Sequence, residues 1–249
     1  MASREEMSTS FGAHAGVYEA GRPDYPADAV AWLLEPARRP GHALRVADVG
    51  AGTGKLTRVA RELGAEAVAI DPDAEMLAAL RDAVPGVPTF LGRAEELPLP
   101  DAAVDALLYG QAWHWVDVPD ASAEAGRVLR RGGVLALVWN IRDESVPWVR
   151  ALTAAMRGSN AEELLAGAGP QVAAPFLGLE RRTWSWSRAI TRAGLLAMAR
   201  SRSYVITAGA DERARVEAAL AALLDDIGAV GDTEVDLPYV THAFRSIRP

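Results

Sequence analysis

The chain has 249 residues, of which 50% are hydrophobic and 24% charged, which is typical of a globular rather than a disordered protein. It carries 33 acidic against 26 basic residues, for a formal charge of −7, and the basic residues are scattered, so no nucleic-acid partner is expected. The sequence contains no cysteine, and its four histidines lack metal-ligand spacing, which excludes disulfides and cysteine nucleophiles and gives no reason to expect a metal site.

The opening residues, MASREEMSTSFGAHAG (1–16), are charged or small and polar where a signal peptide needs an apolar run. No segment approaches the roughly 18 apolar residues of a membrane-spanning helix. We therefore expect a cytoplasmic protein with no membrane partner.

Strands and helices alternate at short intervals between residues 45 and 140. Apolar runs predict five strands, at 45–50, 66–71, 87–91, 104–109 and 134–140. Apolar residues at helical spacing predict three helices, at 55–64, 73–84 and 120–133, the last ended by a pair of glycines. Such alternation with short loops predicts a parallel, doubly wound sheet with right-handed crossovers.

The regular alternation of strands and helices ends after residue 140. The final third predicts a helix at 146–156, a strand at 179–191, helices at 192–202 and 211–226, and a strand at 233–247. Pro238 interrupts this last strand, which suggests a bulge or an edge position. The expected fold is α/β: a Rossmann-like sheet of about seven strands, mostly parallel with an antiparallel C-terminal strand, and helices on both faces.

The turn after the first strand, VADVGAGTGKLT (46–57), is rich in glycine, and three kinds of ligand compete for it. A dinucleotide fingerprint, G-x-G-x-x-G counted from Gly50, requires glycine at position 55, where this chain has Lys55. A triphosphate-binding loop requires a hydroxyl residue after Gly54-Lys55, where this chain has Leu56. Another adenosine-bearing cofactor is the alternative that remains.

The remaining pattern is D-x-G-x-G-x-G, with a second acid, Asp71, at the tip of the next strand. The glycines allow close approach of a ligand and offer N–H groups at a helix N-terminus. A carboxylate at the position of Asp71 can accept hydrogen bonds from ribose hydroxyls, although a helix N-cap ahead of Pro72 is the alternative. The pattern favours a mononucleoside cofactor.

Four segments follow one another in order and carry a more specific signal than the glycine loop alone. They are VADVGAGTGKLT, AIDPDAEML, GRAEELPLPDAAVDALLYGQAWHWVD and EAGRVLRRGGVLALVWN. Together they resemble the class I S-adenosylmethionine-dependent methyltransferases, in the subgroup called type 11 or trans-aconitate methyltransferase-like. The segment FGAHAGVYEAGRPDYP (11–26) also resembles the opening of that subgroup, so the resemblance covers roughly residues 10–140.

The resemblance implies S-adenosylmethionine as the cofactor and gives roles to individual residues. The three glycines of the loop would form the floor of the site. Asp48 would hold the loop or the amino group of the methionine moiety, and Asp71 would bind the ribose. Tyr18 and Arg22 would close over the cofactor, with Arg22 near its carboxylate.

The adenine would lie against Met76, with Ala94 and Glu95 framing its edge, and Gln111 would approach the methionine moiety. The cofactor-binding residues predicted in this way are Tyr18, Arg22, Asp48, Gly50, Ala51, Gly52, Thr53, Gly54, Asp71, Pro72, Met76, Ala94, Glu95 and Gln111.

The segment QAWHWVD (111–117) follows the fourth predicted strand, where ligands of open α/β sheets bind. Trp113 or Trp115 facing the pocket would stabilise a sulfonium by cation–π attraction. His114 is the candidate general base for a hydroxyl or amine nucleophile. These three residues are the predicted substrate contacts; the alternative is that the tryptophans are core residues beneath a loop.

The sequence thus predicts methyl transfer from S-adenosylmethionine to a small organic molecule by in-line displacement, in which positioning can replace a base. The chain is expected to form one domain, with a helical cover over 1–40, a cofactor-binding core over 41–140, and substrate-side helices and the last strands over 141–249. A methyltransferase acting on protein or RNA, and a non-catalytic module that only binds S-adenosylmethionine, are the alternatives.

Overall fold

The computed structural model describes residues 23–156, 158–200 and 209–249, and seven strands within these ranges form one sheet. Its strand order is β3-β2-β1-β4-β5-β7-β6. The strands are β1 Leu44–Val49, β2 Ala65–Asp71, β3 Thr89–Leu91, β4 Val104–Gly110, β5 Leu129–Arg142, β6 Glu180–Thr191 and β7 Glu234–Ile247. β1 to β5 pair in parallel, whereas β7 is antiparallel to both β5 and β6. This confirms the predicted fold.

Helices connect the strands much as the hydrophobic periodicity predicts. Within the described ranges they are α1 Ala27–Leu34, α2 Lys55–Glu62, α3 Ala74–Ala83, α4 Val118–Val128, α5 Pro147–Met156, α6 Asn160–Ala166, α7 Arg192–Arg200 and α8 Ala210–Asp226. Helix α6 was not predicted, although its sequence carries a capping box, in which Ser159 and Glu162 bond each other's backbone N–H. None of the helices in these ranges has the length and apolar character needed to cross a bilayer.

Two details of the prediction are wrong. The glycine pair at 132–133 does not end a helix: α4 ends at Val128, and both glycines lie in β5, where they exchange backbone hydrogen bonds with Arg248. Pro238 makes no bulge, because the β6–β7 register is continuous across it. β7 is also an interior strand. However, the residues of β7 that pair with β5 begin at Tyr239, so the missing N–H of Pro238 removes no hydrogen bond to β5.

Alternate residues of the central strands point to opposite faces of the sheet, and each face is covered. On one face Leu107, Leu135 and Leu137 pack with α4, and on the other Leu108 and Val138 pack with α1 and α2. The strand order reverses between β1 and β4: the chain continues from β1 to β2 on one side of this point and from β4 to β5 on the other. A crevice is expected beyond the carboxyl ends of these two strands.

Candidate functional site

A two-lobed cleft lies at the carboxyl ends of β1 and β4, at the reversal of strand order. The wide lobe encloses about 950 Å³ and the narrow lobe about 460 Å³, both counted with the space that is open to solvent. Gly50, Gly52 and Gln111 line both lobes. Among the other predicted residues, the wide lobe is lined by Asp71, Pro72, Met76, Ala94, Glu95 and Trp115. The narrow lobe is lined by Asp48, Ala51 and Thr53.

The glycine loop is shaped by close backbone contacts. Gly50 has a φ of 69°, and a Cβ atom there would lie 2.7 Å from the Cβ of Ala112, so both conformation and space require glycine. The N–H groups of Gly50 and Gly52 donate to the carbonyl of Ile70 and the carboxylate of Asp71. The expectation that these N–H groups are offered to a ligand is therefore wrong. A Cβ atom on Gly54 would meet the side chain of Leu80, so this glycine faces α3.

Asp71 closes the tip of β2 against the glycine loop. Its Oδ2 accepts from the N–H of Gly52 at 2.8 Å, and its Oδ1 accepts from the N–H of Asp73 at 2.9 Å. Burial raises its pKa to about 6, although the two N–H donors oppose this shift. The N-cap of α3 is Asp73, which accepts from Glu75 and Met76. Because Asp73 is the N-cap, Asp71 does not have that role, and it lines the wide lobe.

Asp48 is a buried carboxyl group beside the narrow lobe. Its Oδ2 accepts a 2.6 Å hydrogen bond from Thr57, whereas its Oδ1 is buried and has no hydrogen-bond partner among the residues that the structure describes. Burial raises its pKa to about 7; the Thr57 bond opposes the shift and the charge of Asp71 adds to it. An unpaired carboxylate oxygen at this position is suited to a cationic hydrogen-bond donor.

The far side of the wide lobe is mostly apolar. Met76 and Ala94 are buried there, and Glu95 accepts from the N–H of Asp117 at 2.9 Å. Tyr109, on β4, also lines this lobe, and its hydroxyl forms no hydrogen bond within the described part of the chain. Burial, assisted by the charge of Glu95, raises the pKa of Tyr109. A flat, apolar ligand with a polar edge fits such a wall.

The three aromatic residues predicted as substrate contacts form one 3₁₀ turn, Trp113–Trp115, but their side chains have different surroundings. Trp113 is only 2% exposed, meets Tyr109 edge to face and donates to the carbonyl of Gln171, so it belongs to the core. Trp115 lines the wide lobe. Nδ1 of His114 accepts from the indole of Trp139 at 3.3 Å, which favours the neutral tautomer with its proton on Nε2.

Gln111 joins the two lobes. It adopts a φ of 56°, which is strained for a residue with a side chain, and its N–H donates to the carbonyl of Val138. Its side chain donates to the carbonyl of Asn140 at 2.9 Å. Tyr25 and Asn140 line the narrow lobe and were not predicted, although Asn140 ends a predicted strand. The predicted residues Tyr18 and Arg22 lie outside the described residues.

Comparisons with known proteins give consistent results. Residues 47–137 match the family model described as a methyltransferase domain. The chain is 44% identical over 251 residues to an uncharacterized methyltransferase of Mycobacterium tuberculosis, with 98% of each chain covered.

Two solved structures share the fold. One is a protein of Anaeromyxobacter dehalogenans described as a candidate type II methyltransferase, with a TM-score of 0.62 and 23% identity over 91% of this chain and 97% of that one. The other is phosphoethanolamine N-methyltransferase 2 of Haemonchus contortus in complex with S-adenosyl-L-methionine, with a TM-score of 0.54 and 15% identity over 100% of this chain and 60% of that one.

Proposed function

The chain belongs to the class I S-adenosylmethionine-dependent methyltransferases, and we propose that it transfers the methyl group to a small organic molecule in the cytoplasm. The observation that carries the proposal is the pair of buried carboxyl groups beside the glycine loop, Asp48 in the narrow lobe and Asp71 in the wide lobe. They divide the cleft into a lobe for an uncharged ribose and a lobe for a cationic amino group. The closer assignment to the trans-aconitate methyltransferase-like subgroup stays a prediction.

The residues of the cleft fit S-adenosylmethionine. Asp71 would accept hydrogen bonds from the ribose hydroxyls, as its position at the tip of β2 suggests. Met76 and Ala94 would contact the adenine, with Glu95 at its edge. The unpaired Oδ1 of Asp48 would accept from the ammonium group, which supplies the cationic donor that this buried oxygen lacks.

The chemistry requires positioning more than proton transfer. When bound, S-adenosylmethionine would supply an electrophilic methyl group, to which the acceptor atom bonds in line as the carbon–sulfur bond breaks and S-adenosylhomocysteine leaves. Trp115 would help to exclude water and stabilise positive charge. His114 lines neither of the two lobes and its Nδ1 accepts from Trp139, so it would hold the turn that carries Trp115 rather than act as the base.

A small acceptor is favoured over a nucleic acid by the distribution of positive charge. Arg39, Arg45 and Arg130 converge on the buried carboxylate of Asp105, at distances of 2.6 to 3.3 Å. Asp105 is near the start of β4, at the end of the sheet opposite the cleft. Arg39 and Arg45 are partly exposed, but they are paired with Asp105 at the far end of the sheet and do not lead a phosphate backbone towards the site.

Calorimetric titration tests the cofactor first. The protein should bind S-adenosylmethionine and S-adenosylhomocysteine with micromolar affinity and should not bind NAD. Binding of NAD alone would overturn the assignment of the glycine loop.

An acceptor screen then tests the substrate class, with S-adenosylhomocysteine formation as the readout. Turnover with small carboxylic acids, phenols or amines is expected. Turnover with proteins or RNA alone would favour the macromolecular alternative. Cofactor binding without any product, across small molecules and cell extracts, would favour the non-catalytic module.

For His114, a His114→Asn variant keeps a hydrogen-bond donor but cannot act as a base at neutral pH. It should retain more turnover than His114→Ala, with an unchanged pH profile. Equal loss in both variants, together with loss of a titrating limb of the wild-type pH profile, would instead identify His114 as the base.

A further inference from the structure

A row of polar side chains crosses the three last strands of the sheet and ends at the narrow lobe. Nε1 of Trp186, on β6, donates to Oγ1 of Thr241, on β7, at 2.8 Å. Oγ1 of Thr241 donates to Oδ1 of Asn140, on β5, at 2.7 Å. Nδ2 of Asn140 donates to the backbone carbonyl of Asp24 at 3.1 Å. Thr241 is fully buried and Asn140 is 7% exposed, so water cannot readily replace these bonds.

The direction of this relay is fixed by its two ends. The indole N–H of Trp186 can only donate, so the hydroxyl of Thr241 accepts from it. The backbone carbonyl of Asp24 can only accept, so the amide nitrogen of Asn140 faces Asp24 and the amide oxygen faces Thr241. The hydroxyl of Thr241 donates its one hydrogen to this oxygen. The orientation of Asn140 therefore satisfies Thr241 on one side and Asp24 on the other.

The segment that Asn140 holds lies over the narrow lobe. Pro23 and Tyr25 line this lobe on either side of Asp24. The hydroxyl of Tyr25 is 2.7 Å from the position that a Cβ atom on Gly110 would occupy, so the segment packs directly on the end of β4. The carboxylate of Asp24 also pairs with Arg58 at 2.5 Å and with Lys55 at 3.4 Å, but the side chain of Asp24 is 56% exposed, and such surface pairs contribute little. The amide of Asn140 gives this segment a buried hydrogen bond.

Asn140 also connects this segment to the other wall of the cleft. Its backbone carbonyl accepts from the side chain of Gln111, the residue that joins the two lobes. One residue therefore fixes the distance between the covering segment and the loop after β4.

We propose that Asn140 is a positioning residue, supported by the hydrogen bonds from Trp186 through Thr241, which holds residues 23–25 closed over the methionine end of the cofactor site. The inference rests on the proposed function for the identity of the ligand, but the closure itself is a property of the ligand-free protein. Asn140 keeps the cofactor in place through Asp24 without needing to touch the reacting atoms.

The first test is Asn140→Asp, which keeps the shape of the side chain and still accepts from Thr241 but, when ionised at pH 8, has no hydrogen for the carbonyl of Asp24. Hydrogen exchange at Ala29 and Val30, whose N–H groups donate to the carbonyl of Pro26, should become about 10-fold faster in the ligand-free protein at pH 8. Affinity for S-adenosylhomocysteine should fall about 10-fold at pH 8. The ratio of variant to wild-type affinity should recover as the pH is lowered to 5, because burial raises the pKa of a carboxyl group and the protonated group can donate again.

Two further variants separate positioning from a general loss of stability. Thr241→Val removes the hydroxyl and should speed exchange at Ala29 and Val30 in the same way, whereas Thr241→Ser keeps the hydroxyl and should restore the wild-type rate. Ser122→Ala is the matched control, since it removes another buried hydroxyl, which accepts from the N–H of Ala173 away from residues 23–25. Its exchange at Ala29 and Val30 should equal that of the wild type.

The proposal is overturned if Asn140→Asp and Thr241→Val leave exchange at Ala29 and Val30 unchanged, or if Ser122→Ala speeds it equally. It is also overturned if Thr241→Ser behaves like Thr241→Val. Failure of the wild-type protein to bind S-adenosylhomocysteine would refute the proposed function and leave the exchange result standing. The two failures are therefore distinguishable.

Discussion

Replacing Asp48 by asparagine should stabilise the ligand-free protein at alkaline pH. The carboxyl group of Asp48 is buried, with one oxygen unpaired among the described residues, and burial raises its pKa from 3.8 to about 7. Asparagine has the same shape, cannot ionise, and can still accept the hydrogen bond from Thr57. The substitution therefore removes the charge and leaves the packing in place.

The sign and size follow from proton linkage. Because the folded state holds the proton of Asp48 more tightly than the unfolded chain does, its stability contribution is fully present below pH 3.8 and is lost as the pH rises through about 7. A shift of about 3 pH units corresponds to about 4 kcal/mol, at 1.36 kcal/mol per unit. The unfolding free energy of Asp48→Asn relative to the wild type should therefore increase by about 4 kcal/mol between pH 4 and pH 8.

The assay is urea unfolding of both proteins, followed by tryptophan fluorescence at several pH values without ligand. Differences that do not depend on pH, such as the fit of the amide nitrogen, are the same in every measurement and do not affect the trend. A stability difference that stays constant from pH 4 to pH 8 would show that Asp48 ionises normally, and the reasoning from burial would be wrong.

The same substitution should have the opposite effect on cofactor binding. If the unpaired oxygen of Asp48 accepts from the ammonium group, Asp48→Asn should weaken binding of S-adenosylhomocysteine by about 1–3 kcal/mol. A variant that is more stable and binds less tightly would explain why an unpaired buried carboxylate is present at this position. Unchanged affinity in calorimetric titration would remove Asp48 from the binding site.

Three other substitutions test separate parts of the structure. Asp71→Ala should weaken cofactor affinity by about 1–3 kcal/mol, measured by calorimetry, with the folded circular-dichroism spectrum retained; unchanged affinity would contradict its role as ribose acceptor. Tyr109→Phe removes a buried hydroxyl that bonds no described residue, so it should raise the unfolding free energy by about 1 kcal/mol, and a loss would indicate a bonded hydroxyl. Asp105→Ala leaves Arg130 and the N–H of Arg45 without their buried acceptor and should lower the unfolding free energy by about 3–5 kcal/mol in urea unfolding; a loss below 1 kcal/mol would show that the ion cluster contributes little.

Local sequence pattern was sufficient for most of the fold. The strands of the parallel half are runs of apolar residues, and the helices between them carry apolar residues at helical spacing, so each element could be recognised without knowledge of its neighbours. The glycine loop and the acid at the tip of β2 were also recognisable, because a tight turn and a strand end depend on residues close together in the chain. Conversely, the exact end of α4 was missed because tertiary pairing with Arg248 draws the glycine pair into β5.

Tertiary structure alone decided which residues meet at the cleft. Asn140 is 116 residues from Asp24 and 101 residues from Thr241, and hydrogen bonds over such separations leave no periodic pattern in the sequence. The 3₁₀ turn at Trp113–Trp115 sends one tryptophan into the core and the other to the wide lobe, although the two look equivalent in the sequence. The sequence determined the order of elements and the cofactor loop, since both depend on local conformation; packing between distant strands determined the remaining walls of the site.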